Sequence, residues 1–72
     1  MKTIYADFNS VDEEGCIRLN CTQTLNDIEN QGIQLKPGLK IKLSDGELVA
    51  EGRVMYSKIE SIWTVLVEKY YE

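Results

Sequence analysis

The chain has 72 residues, a length that suits one domain spanning residues 1–72. Its composition, 43% hydrophobic and 28% charged, is typical of a globular protein rather than a disordered tail. A net charge of −4 argues against phosphate binding over the whole surface, and the absence of histidine removes the commonest general base and metal ligand.

The two cysteines and the lack of a long apolar segment predict a cytoplasmic protein. No apolar run approaches the ~20 residues that span a bilayer, and no signal-peptide core follows Met1. Cys16 and Cys21 are an odd number of residues apart, so on a strand their side chains point to opposite faces and cannot form a disulfide. Two cysteines without histidine also fall short of the about four ligands of a zinc site. We therefore expect free thiols, no metal and no cofactor.

The N-terminal half predicts two strands followed by a short helix. Apolar and polar residues alternate over residues 2–9 and again over 16–21, which is the period of a half-buried strand. The acidic segment 10–15 between them ends in glycine and predicts a turn, so we expect the two strands to form a hairpin. The period then changes, and Thr24 is a candidate N-cap for a helix over about 25–31 that covers one mouth of the sheet.

The strongest local signal is a tight turn at Asp45-Gly46, which joins two alternating segments after a type II turn at Pro37-Gly38. A two-residue turn sets a register in which apolar residues meet apolar residues and opposite charges meet. The pairs are Ser44 with Glu47, Leu43 with Leu48, Ile41 with Ala50, and Lys40 with Glu51.

The remaining residues predict a bent strand and a final strand. Gly52 falls opposite Leu39 and marks a bend, and the strand then continues to Tyr56. A four-residue turn over 58–61 leads to a strand over 62–70 and keeps the single tryptophan in the core. Five short strands with a helix between the second and third predict a mainly β fold. We expect a small, partly open barrel, SH3-like or OB-like, or else a simple antiparallel sheet crossed by the helix.

No group of residues indicates catalysis. The acidic pairs Glu13-Glu14 and Asp45/Glu47 lie in predicted turns, where water keeps carboxylates near their ordinary behaviour. The serines also fall at turns with no base to activate them, and no glycine-rich phosphate-binding motif occurs. We therefore predict a protein without enzymatic activity.

The candidate binding residues gather on the outer face of the predicted sheet. Cations beside aromatic rings are how small barrels hold single-stranded nucleic acid, and Lys40, Lys42 and Arg53 make this face basic. Exposed apolar residues and tyrosines at the end of an edge strand instead favour contact with another protein or a second copy. These are Val49, Met55, Leu66, Tyr70 and Tyr71. We prefer the protein contact, with a weak single-stranded nucleic-acid binder as the alternative, and a solvated face with no binding role also fits.

Residues 31–48 and the opening segment 1–9 resemble a group of short, uncharacterised bacterial proteins with a small β-barrel. The shared features are turns and core positions, so the resemblance implies a fold and no catalytic residues. Stand-alone bacterial proteins of this kind include the small partner in toxin–antitoxin pairs. The resemblance therefore implies an antitoxin-like partner as one form of a protein-interaction module.

Overall fold

The computed structural model describes residues 1–71 and confirms the mainly β fold with one short helix between the second and third strands. The elements are β1 (Thr3–Tyr5), β2 (Ile17–Arg18), α1 (Thr22–Asn30), β3 (Lys40–Ser44), β4 (Val49–Ser57) and β5 (Ile62–Tyr71). The strands form one mixed sheet in the order β1-β3-β4-β5-β2, which makes an open half-barrel. The predicted partly open, five-stranded architecture is therefore confirmed.

The predicted hairpin between the first two strands is wrong. β1 pairs in parallel with β3, and β2 pairs antiparallel with β5 at the opposite edge of the sheet. The acidic turn instead closes on itself, because Asp12 Oδ1 accepts hydrogen bonds from the backbone N–H groups of Glu14 and Cys16, both at 2.9 Å. A bridge between Val11 and Ile17 follows from this closure. Alternation predicts which face a residue occupies but not which strand lies beside it.

The β3–β4 hairpin keeps the predicted faces but not the predicted register. Leu43 lies opposite Ala50 rather than Leu48, so residues 45–48 form a four-residue loop. The reason is local. Asp45 Oδ1 accepts hydrogen bonds from the N–H groups of Glu47 and Leu48 at 2.9 and 2.8 Å, which forms an Asx turn. The loop is therefore two residues longer than the predicted two-residue turn. A shift of two residues leaves every side chain on its predicted face.

The turn before β3 and the turn after β4 agree with the predictions. Gly38 has φ +87°, and the N–H of Leu39 donates to the carbonyl of Lys36 at 3.2 Å, as the predicted turn requires. After β4, residues 58–61 form the predicted four-residue connection. Trp63 lies opposite Tyr56, and their rings meet edge to face at 5.1 Å between centroids.

The core lies on the inner face of the sheet. Its fully buried members come from all five strands or the segments beside them. They are Ile4, Ala6, Ile17, Leu19, Ile41, Leu43, Val54 and Val65. Gly52 is also buried and lies opposite Ile41 rather than Leu39, at the point where the register of β4 against β5 shifts. The bend predicted at Gly52 thus coincides with a β-bulge that places Glu68 as the extra residue of β5.

Helix α1 begins three residues earlier than predicted, after Cys21, and it carries no side-chain N-cap bond. Thr24, the predicted N-cap, lies inside the helix and is fully buried. Its hydroxyl donates to the carbonyl of Tyr5 at 2.7 Å and lies 2.8 Å from the Cys21 sulfur. A buried strand carbonyl needs a donor, so this threonine serves β1 rather than the helix terminus.

Side chains of α1 and of the residue after it also satisfy the outer edge of β1. The N–H of Tyr5 donates to Asp27 Oδ2 at 2.8 Å, and Gln31 Nε2 donates to the carbonyl of Thr3 at 2.9 Å. This edge of the sheet is therefore closed by side chains rather than by another strand.

Candidate functional site

The outer face of β3, β4 and β5 brings together most of the predicted binding residues. The register places Lys40 beside Arg53, Arg53 beside Leu66, and Val49 beside Tyr71. Seven of the eight predicted residues occupy this outer face: Lys40, Lys42, Val49, Arg53, Met55, Leu66 and Tyr71.

Tyr70 does not belong to the outer face. It lies opposite the buried Ala50, on the inner side of the sheet, and its ring centroid is 6.1 Å from that of Phe8. β5 lies between β4 and β2, but β2 pairs only with Thr64 and Val65. Among the described residues, the Tyr70 end of β5 therefore pairs on its β4 side only, as the edge prediction requires. Consecutive residues of a strand point to opposite faces, so Tyr70 and Tyr71 could not share a surface.

The cations of the outer face lie among carboxylates. Arg53 Nε is 3.1 Å from Glu68 Oε2, on the residue of β5 two positions after Leu66, the partner of Arg53. Glu51 accepts a hydrogen bond from the Tyr71 hydroxyl, and that bond, together with the neighbouring lysines, lowers the pKa of Glu51. The ammonium of Lys42 lies 4.9 Å from the centre of the Tyr71 ring. This half of the face is a network of paired charges and offers little free positive charge to a phosphate backbone.

The predicted pairing of Lys40 with Glu51 is also corrected, because Lys42 is the lysine opposite Glu51 and Lys40 is opposite Arg53. The two-residue change in register accounts for this. Sequence reasoning missed Glu68, although it alternates with Leu66 on the outer face of β5. The bulge at Glu68 reverses the faces of the residues that follow, and this reversal places Tyr70 on the inner side and Tyr71 on the outer side.

The apolar part of the outer face centres on Met55 and Leu66, which are 42% and 44% exposed. Beside them lies a groove of about 140 Å³, which we call the Met55–Leu66 groove. It is lined by Asp12, Glu14, Cys16, Met55, Tyr56, Ser57, Thr64 and Leu66. Val49 is half-buried and is separated from Met55 by the charged Glu51 and Arg53, so it does not extend this groove.

The chemistry of the Met55–Leu66 groove is apolar with an acidic rim. Cys16 and Thr64 are buried at its base, and burial followed by the nearby Asp12 carboxylate raises the pKa of the Cys16 thiol. The thiol is therefore held protonated and acts as a small apolar group. Glu14 is exposed at the rim. Such a groove suits an apolar side chain that is followed or preceded by a cation.

Within residues 1–71 no group of three or more cysteine and acidic residues is arranged to hold a metal ion. None of the helices in this described part of the chain is both long and apolar enough to cross a membrane. No protein-family model, curated protein or solved structure matches the chain. The resemblance to short bacterial proteins, the lack of catalysis and the cytoplasmic location therefore stay predictions.

Proposed function

We propose that this chain is a protein-interaction module, acting by binding rather than catalysis, and that its partner docks on the outer face with the Met55–Leu66 groove as the anchor. The observation that supports this is the exposure of Met55 and Leu66 beside an apolar groove on so small a domain. Contiguous exposed apolar surface marks sites of protein interaction, and methionine is enriched at protein interfaces.

The size and charge of the surface indicate what such a partner offers. A standard interface buries about 800 Å² on each side, which is about a sixth of the 4721 Å² surface of this structure. Completing the burial of Met55 and Leu66 contributes on the order of 1 kcal/mol each, since full burial of such a side chain is worth about 1.5–3 kcal/mol. The carboxylates of Asp12 and Glu14 favour a partner whose apolar side chain lies next to a lysine or arginine.

The experiment is affinity capture from the native host with three baits: the wild-type chain, Leu66→Asp and Leu48→Asp. Leu48 is the matched control, because it is a leucine of similar exposure, 48%, in the loop between β3 and β4. The proposal expects a partner that the wild type and Leu48→Asp both retain and that Leu66→Asp loses. A partner retained equally by all three baits would show that the Met55–Leu66 groove is not the anchor.

The two alternatives have separate tests. The carboxylates of Glu51 and Glu68 lie among the cations and disfavour binding of single-stranded nucleic acid. If the chain does bind it, oligonucleotide added at low salt should shift the amide signals of Lys40 and Lys42. The antitoxin-like form requires that co-expression of the chain restores growth to cells that produce the protein of the neighbouring gene. If it does, Leu66→Asp should fail to restore growth.

A further inference from the structure

A second groove lies at the edge of the sheet formed by β1 and β3, next to the segment between α1 and β3. It is an open groove of about 370 Å³ with an apolar floor and a basic rim, and we call it the lysine groove. The floor consists of Ile33, Leu39 and Ile41, and the rim carries Lys2, Lys36 and Lys40. Among the described residues that line it none is acidic, although the chain has 12 acidic and 8 basic residues.

The basic rim is partly held in place. Lys2 Nζ donates to the carbonyl of Gln31 at 2.6 Å, so its charge is kept at the groove. Lys36 and Lys40 are exposed, and within residues 1–71 the salt bridges involve Arg18 and Arg53 rather than lysines. Lys40 also lies near Glu51 on the outer face and is one of the lysines that lower the pKa of that carboxylate. The lysine groove therefore presents positive charge around apolar surface, in a chain whose net charge is −4.

A complementary surface projects from the opposite edge of the sheet, where the turn between β4 and β5 meets the turn before β2. Ile59 at its tip is 80% exposed, more than any other large apolar residue in the described part of the chain. Asp12, Glu13, Glu14 and Glu60 surround a shallow depression with Ile59. We call Ile59 with these four carboxylates the acidic knob.

The acidic knob keeps a negative charge after its internal pairs are counted. Glu60 pairs with Arg18 at 2.6 Å, and Asp12 is engaged by backbone N–H groups of its own turn. Lys58 adds one cation beside Ile59. Glu13 and Glu14 are exposed and lie outside the salt bridges of residues 1–71, so they remain for a partner.

We propose that the acidic knob of one copy docks in the lysine groove of a second copy, with Ile59 on the apolar floor and Glu13 and Glu14 facing the lysines. The volume of the groove is near the lower end of the about 300–1,000 Å³ typical of ligand pockets, which suits one projecting side chain better than a whole helix. The two surfaces lie at opposite edges of the sheet, so the contact is head to tail and builds rings or open chains rather than a two-fold dimer. This inference does not rest on the proposed function, although Asp12 and Glu14 also line the Met55–Leu66 groove and Lys40 also lies on the outer face.

The contact should be weak and sensitive to salt, because exposed ion pairs are screened. Sedimentation equilibrium of the wild-type chain should show a mean mass that rises with concentration at about 0.01 M salt, where the Debye length is ~30 Å, and much less at about 1 M, where it is ~3 Å. A strictly monomeric chain at every concentration in low salt would overturn the proposal.

Charge reversal provides the decisive test. Lys36→Glu with Lys40→Glu makes the groove acidic, and Glu13→Lys with Glu14→Lys makes the knob basic, so each double variant alone should lose at least about tenfold in association. An equimolar mixture of the two should associate again. The acidic groove of the lysine variant fits the basic knob of the glutamate variant, and the basic groove of the glutamate variant fits the acidic knob of the lysine variant. Two variants that both lose association but fail to recover on mixing would contradict the proposal.

Two further measurements keep the test independent of folding and of the outer face. Glu47→Lys, a reversal at the exposed tip of the β3–β4 loop, should leave association unchanged. Amide signals of the wild type should shift on dilution in residues 13–14, 58–60 and 33–41. Shifts confined instead to Met55 and Leu66 would mean that the copies meet through the outer face, which overturns this inference and leaves the proposed function to its own test.

Discussion

Gly52 is the position where the smallest change should have the largest effect. It is buried in β4 at the bulge against β5, and a Cβ atom there would lie 2.7 Å from Val65 Cγ1 and closer still to the carbonyl oxygen of Leu66. Overpacking a core costs about 1–3 kcal/mol, and because the nearest atom belongs to the backbone, we expect Gly52→Ala to lie near ~3 kcal/mol. For a domain of this size each kcal/mol lowers Tm by about 4–8 °C, so Tm should fall by about 12–24 °C.

Urea unfolding followed by the fluorescence of Trp63 measures this effect. Gly15→Ala is the control, because its Cβ meets nothing within 4 Å and its φ of +84° costs only the backbone strain of about 1–2 kcal/mol. Shortening Val65 to alanine in the Gly52→Ala background should bring no recovery, since the Leu66 oxygen stays in place. If Gly52→Ala unfolds at the same urea concentration as Gly15→Ala or a higher one, the close approach of β4 and β5 is wrong.

Three other expectations follow from single contacts. Thr24→Val leaves the carbonyl of Tyr5 without its hydroxyl donor and should lower the free energy of unfolding in urea by about 1–3 kcal/mol. Thr24→Ser keeps a hydroxyl and should lower it less, and equal losses would show that the hydroxyl is unimportant. The Tyr71 hydroxyl and the nearby lysines lower the pKa of Glu51 in the folded chain. The ionised carboxylate therefore stabilises the fold at a pH above the pKa of Glu51 in the unfolded chain, and this stability is lost as the pH falls through the lower pKa of the folded chain. Glu51→Gln should therefore make the acid loss of stability shallower, and unchanged slopes would contradict this. Iodoacetamide should label the half-buried Cys21 before Cys16, because Cys16 is buried and its pKa is raised. Mass spectrometry of the two peptides measures the labelling rates, and equal rates would contradict the burial of Cys16.

The hairpin of β3 and β4 shows what alternation can predict. Ile41 and Leu43 were expected to face the core and both are buried, while Lys40 and Lys42 lie on the outer face as expected. The register was wrong by two residues because Asp45 binds the backbone of its own loop, a contact that competes with the tight turn and cannot be weighed from the residue types alone. A register error of two residues leaves every side chain on its predicted face of the sheet, and for that reason most of the candidate site could be predicted.

The pairing of the N-terminal strands could not be predicted. β1 finds its neighbour across almost forty residues, since Thr3 lies opposite Lys42. No local turn chemistry specifies such a pairing, and the hydrophobic pattern of residues 2–9 suits an antiparallel neighbour equally well. The partner of β1 is chosen by the whole core, in which Ile4 clusters with buried residues of the other four strands.

The apolar anchor of the candidate site was foreseen only in part. Met55 and Leu66 were found from their positions on alternating strands, but the base of the groove is formed by Cys16 and Thr64. Thr64 is buried there because β2 and the turn before it lie over this end of β5. A prediction that joined β2 to β1 therefore had no means of placing Cys16 beside Leu66.

The edges of the sheet decide how this chain can associate. Three backbone groups on the outer side of β1 are bonded to the side chains of Thr24, Asp27 and Gln31. A strand from another molecule would have to displace all three bonds, at a net cost of about 1 kcal/mol each, before its own ladder gained anything. Strand addition is therefore disfavoured next to the lysine groove, and association there must proceed through side chains. A contact made by charged side chains around one apolar residue is reversible and sensitive to salt, which is the behaviour that the charge-reversal mixture is designed to detect.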